Sequence, residues 1–424
     1  MYLCLTNCLA ADSQVIFIIN IILLGKVYDF KLTSYKSIRD GLQDLRAPRL
    51  FVALHKYMSV SNLVYKLTHW ETWDWRIKYI PIIPFWIWHC LRARSFWFFT
   101  PSNPRLLFGG FEGETKTAIY KHLPRGSYPK SVLISSKLSY DEVETLVRQD
   151  FEYPFVVKPN IGRMGLMFRI ISNSVELQLY HKSMPYDYIV QDLVEYPLEV
   201  SVFYIRFPNS KSGTITGFIS KEFLEVCGDG KSTLLELMTA YPRIRFRLDE
   251  MKAKHLENLD LVLQKGKHFV LSYALNLSRG GKLVNIEHEK DARLLKVFDD
   301  LSNHSDTLYY GRFDLKCTSV DDLKKGKNFS ILEYNGCGAE PHHVYGNGYT
   351  LFQACKILAQ HWNVLYEISK CNKNRGFNYL DFKSGWRKMK ECRKHFSELR
   401  KADRALPVFS GANQTFTANI SLNT

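Results

Sequence analysis

Short apolar runs bounded by turn residues dominate the chain after residue 130, and their lengths are those of strands. Ser131–Ser135, Phe155–Lys158, Leu166–Ile171, Tyr188–Leu193, His268–Leu275, Lys282–Ile286, Thr307–Asp314 and Phe329–Asn335 each predict a strand. Ser201–Phe207 and Thr214–Ser220 flank a polar turn, Pro208–Gly213, and predict an antiparallel pair. Leu106–Phe108 followed by Gly109 and Gly110 predicts a short strand entering a turn. Helical patterns cover Thr115–His122, Tyr140–Gln149, Leu234–Leu263 and Leu351–Ile368. In Trp386–Ala405 the apolar positions Met389, Cys392, Phe396 and Leu399 follow i, i+3, i+7, i+10, which predicts an amphipathic helix with a basic outer face. Antiparallel strands mixed with helices make the fold class α+β rather than a doubly wound parallel sheet.

Residues 1–104 have a different texture, mostly helical and rich in aromatics. Val15–Leu24 is apolar but shorter than the ~20 residues of a spanning helix. No positively charged segment precedes it and no small-residue cleavage site follows, so it predicts a buried helix rather than a signal peptide. Trp70–Phe99 holds six of the eight tryptophans, flanked by Arg76, Lys78, Arg92 and Arg94. Such a segment is either an interfacial membrane anchor or an aromatic core and docking surface, with Pro81 and Pro84 interrupting any long helix. Ser410–Thr424 predicts a disordered end.

Composition narrows the classes. With 46% hydrophobic and 23% charged residues over 424 positions, the chain has material for more than one core. Nine cysteines without a Cys-x-x-Cys pair argue against a zinc ribbon or disulfide scaffold and for a reducing, cytoplasmic setting. The net charge is +15, and Cys371–Thr424 contributes 11 Lys and Arg against 4 Asp and Glu. The basic helix there lies on anionic lipid, contacts nucleic acid or, the plainer reading, packs as a solvated helix on the protein's own surface. Peripheral membrane contact through 70–99 or the basic tail is therefore an expectation, as is a capacity to oligomerise; specific nucleic-acid binding is not expected.

Two strings carry chemistry: Gly311-Arg312-Phe313-Asp314 and Leu332-Glu333-Tyr334-Asn335-Gly336. On strands, Arg312 with Asp314, and Glu333 with Asn335, each share a face. If those strands pair, one face presents Arg, Asp, Glu and Asn together. Oxygen donors of this kind suit Mg²⁺ bound with phosphate oxygens, and the arginine suits a transferring phosphoryl group. Upstream, Lys158 ends a strand and precedes a glycine turn, Gly162–Gly165, that can place an ammonium and backbone N–H groups on a triphosphate. Gln191-Asp192-Leu193-Val194 offers backbone polar groups to an adenine edge, with Glu199 placed to bind ribose hydroxyls. Gly228–Thr233 imitates a Walker A loop, but Glu225 stands where its first glycine belongs, so it reads as a turn capping a helix. His342 and His343 are read as structural, or substrate-facing at most.

The order of these pieces from Gly109 to Ile368 resembles the ATP-grasp superfamily of carboxylate–amine ligases. Glu114-Thr115-Lys116 is similar to that family's first ATP lysine, Phe155–Pro159 to its second lysine strand, and Gly162–Gly165 to its mobile phosphate loop. Gln191–Val194 matches the adenine hinge and Glu199 the ribose carboxylate. Arg312 falls at the phosphate arginine; Asp314, Glu333 and Asn335 fall at the magnesium ligands. Val226–Thr233 and Asn276–Gly281 resemble stretches of cyanophycin synthetase and related amino-acid ligases, and there Arg279 would contact the transferred phosphate or the substrate carboxylate. The metal strands also look like those of D-alanine–D-alanine ligase. The chain departs at Gly336–Pro341, where those ligases carry a small residue and then Pro-Gly. The resemblance implies an ATP-grasp fold of two α+β subdomains, 105–190 and 191–370, after the aromatic region 1–104 and before the basic tail 371–424. It implies ATP and Mg²⁺ as cofactors and small-molecule carboxylate and amine substrates joined through an acyl-phosphate. Two alternatives are a kinase acting on a hydroxyl and a membrane-surface protein with a vestigial nucleotide site.

Overall fold

The structure, a computed structural model, describes residues 60–272, 281–407 and 409. The chain divides into two compact units, Met1–Tyr65 and Lys66–Thr424, and every feature below belongs to the second. The expectations for Val15–Leu24, for Arg279 and for the end from Ser410 lie outside the described residues.

The architecture is α+β. A four-stranded sheet has the order β1-β4-β2-β3, built from β1 (Ser131–Ile134), β2 (Phe155–Pro159), β3 (Arg169–Ile171) and β4 (Tyr188–Asp192). A five-stranded sheet contains β5 (Leu198–Ile205), β6 (Thr214–Glu222), β9 (Lys282–Asn285), β10 (Tyr310–Cys317) and β11 (Phe329–Asn335), in the order β11-β10-β5-β6-β9. Between β6 and β9 in sequence, β7 (Leu224–Cys227) and β8 (His268–Ser272) form a ribbon. All pairings are antiparallel.

Strand alternation decides what each sheet buries. In the smaller sheet Phe155, Val157, Tyr188 and Val190 pack on the helices Tyr140–Asp150 and Ser174–Ser183 through Val143, Val147, Leu177 and Tyr180. The helix Phe382–Ala405 completes this core with Cys392, Phe396 and Leu399. Its apolar stripe is thus consumed by the fold. In the larger sheet Val200, Val202, Tyr204, Phe313, Leu315 and Tyr334 pack on the helix Ala292–Asn303. The opposite face is apolar at one end, where Phe203, Ile205 and Tyr310 meet Trp97, Phe98, Phe99 and the helix Leu351–Asn374, and along its β6–β9 edge, where Ile219 and Leu283 meet Trp70 and Val344. The other end of that face is polar.

Several elements differ from expectation. Leu106–Phe108 is not a strand; Leu107–Gly110 is a 3₁₀ turn with Phe108 and Gly109 at φ 55° and 69°. The backbone there is wedged against the end of β11: a Cβ on Gly336 would lie 2.6 Å from the Gly109 carbonyl oxygen, so only glycine fits. Leu166–Ile171 shortens to Arg169–Ile171 because Met164, Gly165 and Met167 all take positive φ. The helical stretch Leu234–Leu263 breaks at Pro242 into Leu234–Ala240 and Leu248–Lys254 with short turns. Helices at Ser174–Ser183 and Ala292–Asn303, capped by Asn173 and Asp291, were not foreseen. Gly228–Thr233 is the expected turn: Asp229 accepts from the backbone N–H groups of Lys231 and Ser232, and Thr233 caps the next helix.

Leu399 is fully buried in the smaller sheet's core, so Leu399→Ala should cost about 3 kcal/mol in urea unfolding. A cost near zero would show that the C-terminal helix is not part of that core.

Candidate functional site

The polar end of the larger sheet is made by period-two alternation on four adjacent strands. Asp314 lies opposite Glu333 on β11 and Ser201 on β5, and Arg312 lies opposite Asn335. Glu199 pairs across to Lys221 on β6 and to Lys316 on β10. The side chains of these strands that do not enter the apolar core therefore converge on one surface.

Asp314 is the hub. Arg312 donates to both its oxygens, from Nε at 3.1 and 3.3 Å and from a terminal nitrogen at 3.0 Å. Asn335 Nδ2 donates to Oδ2 at 3.0 Å, Ser201 Oγ donates to Oδ1, and the Lys221 ammonium is 3.4 Å from Oδ1. Burial pushes the Asp314 carboxyl up, but Arg312 and Lys221 override it and hold it well below the usual carboxylate range. Burial likewise lowers Lys221, and Asp314 and Glu199 more than restore it; Lys221 donates to Glu199 Oε1 at 2.8 Å.

The second half of the site comes from the smaller sheet. A β-bulge between Asp314 and Leu315 leaves Leu332 outside the β10–β11 ladder, and its carbonyl accepts from Lys158 Nζ at 3.3 Å and from the Tyr120 hydroxyl at 3.0 Å. Lys116, at the start of the helix Lys116–Tyr120, donates to Glu333 Oε1 at 3.3 Å and to the Gly162 carbonyl at 3.4 Å. Lys158 and Lys116 thus meet Glu333 in one place. Burial first, then the neighbouring Lys116 charge, push the Lys158 ammonium down to about 7. The Gly162–Gly165 loop is tethered by its Arg163 to Glu112 and over the Phe396 ring at 4.2 Å.

Gln191 is buried on β4 and donates to the Tyr120 hydroxyl at 3.0 Å and to Ser131 Oγ at 2.7 Å. Past the strand end, the Val194 carbonyl accepts from Lys316 Nζ at 2.9 Å, which ties the 191–194 segment, Leu193 included, to the larger sheet. Asp192 is exposed, and its charged neighbours are Lys130 and Asp150, so its carboxylate stands apart from the cluster.

Sequence reasoning missed Lys221, Ser201 and Lys316, whose places follow from strand register that a single sequence does not display. It reads His342 as structural, or substrate-facing at most. His342 Nε2 lies 2.9 Å from an Arg312 terminal nitrogen; an arginine only donates, so Nε2 accepts and the imidazole proton sits on Nδ1. Nδ1 is buried without a partner among the described residues, and burial together with Arg312 keeps the ring neutral. Beside it Glu340 accepts from the Tyr79 hydroxyl at 2.6 Å. The aromatic segment thereby walls the turn after β11.

Five cationic side chains (Lys116, Lys158, Lys221, Arg312, Lys316) sit among the carboxylates Glu199, Asp314 and Glu333, with Glu340 beside Arg312 and Glu195 beside Lys316. Among the described residues no three His, Cys, Asp or Glu side chains converge as a metal cluster. The donor set nonetheless fits a hard cation shared with phosphate. Glu333 is partly exposed with one oxygen engaged by Lys116, and Asn335, by donating through Nδ2, keeps its carbonyl oxygen for a cation. Both Asp314 oxygens already accept, so it stands behind those two donors.

No protein-family model matches the chain, and no curated protein sequence matches it. Among solved structures it is similar to a bifunctional glutathione synthetase from Pasteurella multocida, at 15% identity and a TM-score of 0.39 over 62% of this chain and 38% of that one. It is similar to D-alanine–D-alanine ligase from Bacillus anthracis, at 14% identity and a TM-score of 0.35 over 62% of this chain and 68% of that one. VanG D-Ala:D-Ser ligase from Enterococcus faecalis follows at 12% and 0.32, over 56% and 57%. The chain thus spans little more than a third of the synthetase's length.

Replacing Asp314 leaves Arg312 buried without its carboxylate partner and Lys221 with Glu199 alone. Asp314→Ala should therefore destabilise the protein by about 3 kcal/mol in urea unfolding, far more than the exposed Asp192→Ala. Equal effects would mean that Asp314 is not the hub.

Proposed function

We propose that this surface binds ATP and joins a small-molecule carboxylate to an amine, as an ATP-grasp ligase does. One observation carries the reading: Lys116 from the helix Lys116–Tyr120 and Lys158 from the smaller sheet converge with Glu333 beside the bulge of the larger sheet, directly next to the Arg312–Asp314–Asn335 network. Two lysines against the carboxylate and amide of paired strands suit a triphosphate and its counter-ion better than they suit a buried structural cluster. The segments 105–190 and 191–370 are then the two clasping halves.

In this reading Lys116 and Lys158 neutralise the α- and β-phosphates, and the Gly162–Gly165 loop offers backbone N–H groups to the γ-phosphate while excluding water. The 191–194 segment holds the adenine edge. Glu199 binds ribose hydroxyls with its orientation held by Lys221. Glu333 and the Asn335 carbonyl oxygen would hold Mg²⁺, with Asp314 behind them, and the ion would neutralise phosphate charge. Arg312, fixed by Asp314, stabilises the transferring phosphoryl group. A substrate carboxylate oxygen forms a bond to the γ-phosphorus as the bond to ADP breaks. An amine nitrogen then attacks the acyl carbon, phosphate leaves, and the nitrogen's proton passes to solvent. Arg279, on the segment that resembles amino-acid ligases, would contact the transferred phosphate or the substrate carboxylate. The turn at Gly336–Pro341, with Glu340 and the neutral His342, forms the wall on the acceptor side.

The test is a screen of amino acids for carboxylate-dependent ADP release by the full chain, repeated with hydroxylamine. An acyl-phosphate gives a hydroxamate, and Glu333→Ala should lower its rate by about a hundredfold. ADP release with a stable phosphate ester and no hydroxamate would assign a kinase instead; no ADP release with any carboxylate would contradict the ligase reading.

A further inference from the structure

The helix Ile83–Ala93 turns an apolar side outward. Its inner side is fixed: His89 is buried and stacks on Tyr366 at 5.0 Å, Trp86 packs on Phe98 and Phe99, and Ala93 is buried. Its outer side carries two neighbouring i, i+4 ridges, Ile83–Ile87–Leu91 and Pro84–Trp88–Arg92, all exposed. Trp88 is 57% and Leu91 67% accessible, and Ile80, Phe85 and Phe96 extend the patch. Large apolar side chains grouped this way mark an interaction surface.

Charge says what covers it. From Arg76 to Phe111 the sequence has no Asp or Glu, and it carries Arg76, Lys78, Arg92, Arg94 and Arg105. Arg92 is engaged by Glu367 at 3.3 Å and lies over the Tyr366 ring at 4.4 Å. Arg94 caps the helix in the left-handed region, and its exposed guanidinium has no hydrogen bond or ion pair among the described residues. It opens on a hollow of about 850 Å³ lined by Leu91, Phe96, Lys373, Tyr379 and Phe382. The one carboxylate there, Asp381, is committed to capping the helix Phe382–Ala405 through the Ser384 N–H at 2.9 Å. A second copy of the chain seated on this face by two-fold symmetry would set the same basic rim against itself. An anionic surface complements it. At eleven residues the helix is too short to span a bilayer, and no described helix is long and apolar enough to do so. An amphipathic helix with aromatic and aliphatic residues outside and arginines at the rim lies in the headgroup boundary.

We propose that this face docks the protein on an anionic phospholipid bilayer: Ile83, Ile87, Trp88, Leu91 and Phe96 enter the boundary between headgroups and acyl chains, and Arg94 with Lys373 takes a lipid phosphate in the hollow. The docking is independent of the nucleotide reading. The test is co-sedimentation of the full chain with phosphatidylcholine vesicles, with and without phosphatidylglycerol. The wild type should bind the anionic vesicles more tightly. Trp88→Glu combined with Leu91→Glu should lower binding at least about tenfold, and Arg94→Ala about fivefold on anionic vesicles alone, both with an unchanged melting temperature. If the double variant melts lower, Arg94→Ala decides. Absent binding by the wild type, binding by the variants equal to wild type, or a solution dimer that the double variant converts to monomer would each overturn the proposal.

Discussion

A buried carboxylate with two buried cations is tolerable only when every partner is in place, and Asp314 sets that condition for the larger sheet. Its two oxygens take Arg312 from its own strand, Asn335 from β11, Ser201 from β5 and the Lys221 charge from β6. A slip of one residue in any of those strands would turn one of these groups into the apolar core and leave the others unpaired, at a cost of several kcal/mol. The network therefore specifies register from β11 across to β6, and the same register puts Phe313, Leu315 and Tyr334 against the helix Ala292–Asn303. The polar cluster and the apolar core are two sides of one constraint.

What that constraint leaves free is the part aimed at a ligand. Asp314 saturates Arg312 on one side, yet Glu333 is only lightly held, and among the described residues the Asn335 carbonyl oxygen is uncommitted and the buried His342 N–H has no partner. The bulge at Leu332 brings the smaller sheet's lysine to this edge. A scaffold that is rigid behind and under-satisfied in front is what binding a charged ligand requires.

Period-two alternation was enough to read that Arg312, Asp314, Glu333 and Asn335 share one surface, because both strings sit in long strands and Phe329–Asn335 runs as expected. Lys158 was legible for the same reason, as the end of a buried apolar strand. Other parts were hidden by long-range register. Lys221 is known only through its cross-strand partner Glu199, and the bulge that re-aims Leu332 leaves no local mark. Asn103 looks like a loop residue, yet it is fully buried. Its Nδ2 donates to the Gly109 and Tyr310 carbonyls, and its Oδ1 accepts from the N–H groups of Tyr309 and Tyr310. That is how the aromatic segment joins the sheet. Tryptophans 70 and 97 became core while Trp88 stayed outside, a division that composition alone cannot make.

If Lys158, together with Lys116 and Glu333, grips a nucleotide's phosphates, calorimetric titration of the full chain with Mg·ATP reads it out. With its ammonium pushed down to about 7, Lys158 loses charge as pH rises through that value, so ATP must restore a proton on binding. The account predicts that the dissociation constant rises about fivefold from pH 7 to pH 8 and that Lys158→Met weakens binding at least about tenfold at pH 7. Absent binding by the wild type, or a Lys158→Met variant that binds as the wild type does, would contradict it.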